Sequence, residues 1–275
     1  MIVDAHCHVW PDRIAPQVLA HRPAGLDPVG DGTLDGLRRV MDEDGVDMAC
    51  TLAIANEARH VARTNEFIGG VDRDRFVPFG TVHTGLSVEE NLSLLDANGI
   101  RAVKFHPNFQ GMSLADPAVI DLFRALAERS VVVLAHVGEG SDAAASARGA
   151  SEHVRTVTEQ VPDLTFVACH FGGYHTWAGV LSAATGSGAY LETSWPPSLD
   201  GLEPKEVSDV IRRHGQGRVV FGSDWPMARP GRELAALRDL GLEEDALTQV
   251  TGGTLADLLG LTPSERKTPR AGSPA

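Results

Sequence analysis

Short apolar runs that end in a histidine recur along this chain, and they restrict its fold more than any other feature. They cover residues 1–8, 76–83, 100–106, 131–136 and 164–170, and a similar run, 218–224, ends in an aspartate. Two further runs, 47–54 and 189–195, lack the terminal histidine. All eight are short, rich in Val, Ile, Leu and Phe, and nearly continuous in apolar character, as strands buried on both faces should be. His6 and His8 are two apart, so on a strand they share a face.

Helical patterns separate the runs. Ser87-Val88-Glu89-Glu90 reads as a capping box leading into Leu92 and Leu95. Asp116-Pro117 pairs an N-cap with proline at the first helical position, and Ile120, Phe123 and Ala127 follow on one stripe. Ser151 precedes Val154, Val157 and Val161, and Gly241 closes a helix over 232–240. Eight strands alternating with helices fit a closed (β/α)8 barrel or an open doubly wound sheet. Functional side chains end the first, fourth, fifth, sixth and eighth strands, which requires the ends to converge on one mouth and selects the barrel. The long segments 10–33, 107–115, 138–150 and 196–204 all follow strands, so the site is expected on that side.

At 275 residues the chain suits a single barrel domain over 1–262, with 263–275 a polar, frayed tail. A net charge of −13 excludes nucleic acid and an anionic membrane surface as expected partners, leaving a small-molecule substrate and room for a homodimer. Three cysteines in no zinc-ribbon or CxxC spacing read as reduced, buried thiols, which suits a cytoplasmic protein. Cys7 and Cys169 each adjoin a histidine and are expected to face the covering helices. Neither a signal peptide nor an apolar membrane span is visible.

His6, His8, His136 and Asp224 offer three nitrogens and one oxygen for a divalent ion, zinc first, with manganese, iron or cobalt also suited. Strands one and eight are neighbours in a closed barrel, so Asp224 can reach His6 and His8. His170 is expected nearby, polarising a carbonyl, shuttling a proton or serving as a further ligand. Lys104 has three readings: a carboxylated bridge between two metals, an ammonium that binds a substrate carboxylate, or an ordinary ion-pair lysine. His106 shares its face and is held extended by Pro107. Trp10, Trp195 and Trp225 follow strands one, seven and eight and are expected to wall the mouth for a flat, partly apolar substrate. Arg13, His21 and Arg22 are candidates for a carboxylate, and His83 is expected to be structural.

In this order, Asp4-Ala5-His6-Cys7-His8, Val103-Lys104-Phe105-His106-Pro107, Ala135-His136-Val137-Gly138, His170-Phe171-Gly172-Gly173 and Phe221-Gly222-Ser223-Asp224-Trp225-Pro226 resemble the amidohydrolase superfamily. More narrowly, they are similar to its compact, amidohydrolase-2-type metal-dependent hydrolases. That branch also holds the aminocarboxymuconate semialdehyde decarboxylases and related nonoxidative decarboxylases. The resemblance implies a distorted (β/α)8 barrel, metal ligands at His6, His8, His136 and Asp224, and a catalytic His170. Many relatives carry an Asn where this chain has Gly252-Gly253-Thr254, so the closing contact there is expected to differ.

Two chemistries fit those residues. In a hydrolase of an amide, lactone or ester, Asp224 takes the proton of a metal-activated water and His170 steadies the oxyanion. In a decarboxylase of an aromatic or enal carboxylate, Asp224 or His170 delivers a proton to carbon. A barrel that only binds a small molecule is the third reading, and the complete ligand set counts against it. A phosphoesterase is disfavoured because no basic cluster sits at the strand ends.

Overall fold

The computed structural model describes residues 1–21 and 26–262, so Arg22 and the expected tail lie outside the described residues. Eight strands run parallel: β1 (Val3–His8), β2 (Met48–Leu52), β3 (Phe76–Phe79), β4 (Ala102–Phe105), β5 (Val132–Ala135), β6 (Phe166–Ala168), β7 (Tyr190–Glu192) and β8 (Val219–Val220). Each falls inside an expected run; β1 reaches His8, but β3, β4, β5, β6 and β8 stop short of their polar termini, so His83, His106, His136, His170 and Asp224 sit past a strand rather than on it.

The ladder joins β1 to β2 to β3, and β4 through β8 in sequence order. Two sparser seams close the ring. Gly80 N donates to Ala102 O and Lys104 N to Gly80 O, both at 2.8 Å, stitching β3 to β4. Ala5 N donates to Phe221 O at 2.9 Å and His8 N to Trp225 O at 2.7 Å, stitching β1 to β8. The fold is therefore a distorted (β/α)8 barrel.

Side-chain alternation divides the core in two. Val3, Ala5, Cys50, Leu52, Phe79, Ala102, Val132, Leu134, Val167 and Val220 pack together inside the ring. Their strand neighbours Ala49, Val103, Phe105, Val133, Ala135, Phe166 and Val219 pack with helix residues such as Met41, Phe123, Val157 and Ile211 outside it. This double burial is why the strands read as unbroken apolar runs. Lys104 and Glu192 occupy inward positions, two residues beyond Ala102 and Tyr190.

The helices Leu34–Asp44, Val61–Gly69, Val88–Ala97, Pro117–Glu128, Glu152–Gln160, Pro204–His214 and Pro230–Arg238 surround the strands. Ser87 and Glu90 form both bonds of the capping box. Asp116 precedes its helix without capping it and instead accepts from Ser113 N. After β6 the helix shrinks to Trp177–Gly179 and a π turn over Val180–Ala184. The last helix, Thr254–Leu259, sends Leu255 into the inner core at the end where the strands begin. Gly252 makes this closure, because a Cβ there would collide with the carbonyl of Met1. The space an Asn would take is filled by the chain's own first residue. Among the described residues, no helix is long and apolar enough to cross a membrane.

Candidate metal centre

One extra residue in β1 aims the first two histidines. Val3 and Asp4 pair with Met48 and Ala49, but Cys7 and His8 pair with Thr51 and Leu52, so β1 bulges between Asp4 and Cys7. Below the bulge Val3 and Ala5 point inward; above it His6 and His8 do, and Cys7 packs among the outer residues. Asp4 Oδ1 fastens the bulge, accepting from His6 N at 3.0 Å and from Ser223 N at 2.9 Å. Burial lifts the Asp4 carboxyl to about 6 against the pull of these bonds.

His6 Nε2 and His8 Nε2 lie 3.1 Å apart. Asp224 Oδ1 lies 3.3 Å from the first and 3.4 Å from the second. Asp224 has a left-handed backbone, φ 64°, which turns its side chain toward the mouth. Ser223 beside it is pinned by Asp4, so β1 and β8 are registered through one carboxylate.

The hydrogen bonds identify the bare nitrogens. His6 Nδ1 donates to Glu192 Oε2 at 3.0 Å, which leaves Nε2 with its lone pair toward His8 and Asp224. His170 Nδ1 donates to Ser194 O at 3.1 Å, which leaves its Nε2 bare, 3.1 Å from His136 Nδ1. His136 Nε2 faces Glu139 O at 3.2 Å, so the tautomer that satisfies this carbonyl bares Nδ1 as well. Burial, reinforced by Lys104 and the other rings, holds His6, His8 and His170 well below the usual histidine range and pushes His136 down to about 3. Neutral imidazoles whose lone pairs face each other and a carboxylate are an arrangement that a cation resolves. The donor set of nitrogens and oxygen therefore fits a divalent metal.

Among the described residues, two groups of three bring ligand atoms within 4.8 Å of one another: His6, His8 and Asp224, and His6, Cys169 and His170. His136 belongs to neither and reaches the centre through His170. Cys169 corrects the expectation that it faces the helices. Cys169 keeps the alternation of β6, on the same inward face as Val167, and it is His170 that leaves the pattern by turning to φ 58°. Cys169 accordingly sits in the barrel interior with Sγ 3.0 Å from Lys104 Nζ. Lys104 is fully buried, and its Nζ is also 3.0 Å from His6 Nε2. Burial raises the Asp224 carboxyl well above the usual range, and the Lys104 charge opposes that shift.

Glu192 is the functional residue that sequence reasoning missed. It has no exposed surface and accepts from His6 Nδ1, Ser194 N, Ser194 Oγ and His170 N. Gly222 gives it room, since a Cβ there would collide with its carboxylate. A lone carboxylate inside the apolar run 189–195 was its signal.

The remaining candidates scatter. His106 stacks on His136, with centroids 4.3 Å apart, and on Phe109 at 3.9 Å. Trp10 stacks on His8 at 6.0 Å. Trp195 is one wall of a separate cleft. Trp225, expected at the mouth, is only 2% exposed and packed against Gly30, so its indole is covered. His83 caps its own turn by accepting from Gly85 N, and His21 is bonded to Gln17 O, away from the cluster.

The model of the Amidohydrolase family (Amidohydro_2) matches residues 3–266. The chain belongs to that family. Many solved structures share the fold, among them the following three. 5-Carboxyvanillate decarboxylase LigW from Sphingomonas paucimobilis is 15% identical with a TM-score of 0.71, over 95% of this chain and 99% of that one. A dihydroxybenzoic acid decarboxylase from Polaromonas sp., with bound manganese and the inhibitor 2-nitroresorcinol, is 14% identical with a TM-score of 0.72, over 96% and 98%. A probable 2-pyrone-4,6-dicarboxylic acid hydrolase from Acinetobacter baumannii, with citric acid bound, is 14% identical with a TM-score of 0.64, over 94% and 99%. A search of curated protein sequences gives no match. The family and these neighbours are enzymes, both hydrolases and decarboxylases.

Proposed function

We propose that this amidohydrolase cleaves an amide, lactone or ester bond of a small, carboxylate-bearing substrate, using one divalent ion. His6, His8, His136 and Asp224 would hold it, zinc by preference; manganese, present in the Polaromonas neighbour, suits the same donors. The observation that carries the reading is Asp224 Oδ1 at 3.3 and 3.4 Å from the Nε2 atoms of His6 and His8, two imidazoles that burial holds well below the usual histidine range. When bound, such an ion acidifies water and polarises a carbonyl oxygen.

The chain's own residues do the rest. Asp224, 14% exposed at the mouth, accepts the water proton and hands it to the leaving group. His170, its Nδ1 committed to Ser194 O, enters the reaction as a proton acceptor at Nε2 and donates only after it has been protonated. Lys104 keeps the Asp224 carboxyl closer to its ionised form. Trp10, stacked on His8, supplies an indole wall.

A second reading is favoured by the neighbours' names: decarboxylation of an aromatic carboxylate, in which Asp224 or His170 protonates the ring carbon. The test is to strip the protein of metal, reload it with zinc or manganese, and offer dihydrocoumarin, aryl esters and amides, 2-pyrone-4,6-dicarboxylate and 2,6-dihydroxybenzoate. We expect metal-dependent bond cleavage without release of carbon dioxide, and Asp224→Ala should lower kcat by about 10²–10⁴. Carbon dioxide release without hydrolysis would replace the first reading with the second. A protein that binds no divalent ion would end both.

A further inference from the structure

Beside the metal centre lies a cleft of about 560 Å³ that none of the residues discussed so far explains, apart from Trp195. It is large enough for a drug-sized ligand. Its walls are largely apolar: Trp177 and Trp195, whose rings meet edge-on at 5.6 Å, with Pro196, Pro197 and Leu202 completing the apolar lining beside His175 and Ser198. Tyr174 is the partition between the two spaces. Its ring lies 4.9 Å from His170 on one side and 5.7 Å from Trp195 on the other, and its hydroxyl donates to Pro196 O at 3.2 Å. The cation of the lining, Arg232, is already committed, with Nε 2.9 Å from Asp200 Oδ2. The cleft therefore offers aromatic faces and a neutralised rim, which favour an uncharged ring over an anion.

We propose that this cleft is a binding subsite for an uncharged planar ring, and that it receives the distal aromatic part of the substrate while the reacting bond lies beyond Tyr174. This deepens the hydrolase reading and rests on it for the substrate's orientation, whereas the subsite is testable without turnover. Gly201 supplies the means. It lines the cleft, a Cβ built there meets nothing within 4 Å, and its backbone is outside the left-handed region, so Gly201→Leu adds bulk at the cleft without a clash.

Binding of 2-naphthol and 2-naphthoate is measured by titration calorimetry on the full chain, metal-stripped and manganese-loaded, with an unchanged melting temperature certifying the variant. We expect one 2-naphthol per chain in both states, no tighter binding of 2-naphthoate, and about tenfold weaker binding to Gly201→Leu and to Trp177→Ala. Bound manganese should broaden the ring-proton resonances of 2-naphthol, as adjacency to the centre requires. Absent binding, binding indifferent to Gly201→Leu, or a preference for 2-naphthoate abolished by Arg232→Ala would overturn the subsite. Normal 2-naphthol binding to a chain that takes up no metal would leave the subsite standing and defeat the hydrolase reading instead.

Discussion

Behind His6 sits a carboxylate with no exposed surface, compensated by the groups that donate to it and by the Lys104 charge. Glu192 fixes the His6 tautomer through Nδ1 and, through Ser194, the ring of His170 as well. Its charge makes the facing Nε2 more basic, which is what a metal ligand needs. Glu192→Gln keeps the shape and loses the charge. We predict a 10–100-fold loss of zinc affinity by competition with a chelator, with the far-ultraviolet spectrum unchanged. At this scale the sequence was readable where a polar residue ended a run: His6, His8 and Asp224 do meet. It was unreadable where the partner came from another strand. Nothing near Glu192 in the chain names His6, 186 positions away, as its partner. The left-handed His170, which leaves the strand pattern while Cys169 keeps the inward face of Val167, is announced by no local pattern.

The helix Pro230–Arg238 grips the turn Leu199–Gly201 with two adjacent residues. Arg232 pairs with Asp200, and Glu233 Oε2 accepts from Leu199 N at 2.8 Å. The other oxygen of Glu233, Oε1, is buried without a hydrogen-bond partner, and burial pushes the carboxyl from 4.5 to about 7. The unfolded chain ionises this group first, so between about pH 4.5 and 7 the native state holds the extra proton and stability falls as pH rises, levelling above 7. Glu233→Gln removes that fall. Urea unfolding should find the variant equal to the parent near about pH 5 and more stable near about pH 8, by up to about 3 kcal/mol. Equal stability at both values would show that the carboxyl is not held neutral. The eight strands and most of their helices were legible as elements because double burial and helix caps leave strong local marks. The β1 bulge was not, since a single extra residue leaves the His-x-His spacing intact while turning Asp4 away.

The barrel itself is sewn unevenly. Its two seams, β3 to β4 and β8 to β1, rest on few backbone bonds, and the second is clamped by Asp4, Ser223 and the candidate ligands of both strands. A cation held jointly by His6, His8 and Asp224 would act as a further clasp across that seam, bound by the folded chain alone. At 100 times its dissociation constant it adds about 2.7 kcal/mol, which for a chain of this size raises the melting temperature by about 5–10 °C. Convergence of strand ends on one mouth was the part of the whole molecule that could be read from the sequence. The cleft beyond Tyr174 was not, because its lining comes from the connections after β6, β7 and β8, which share no pattern.

Elemental analysis of the dialysed protein beside His6→Ala and Asp224→Ala tests the centre most directly. The account predicts about one divalent ion per chain in the parent and a folded, metal-poor protein in each variant. A full complement of metal in both variants would contradict it.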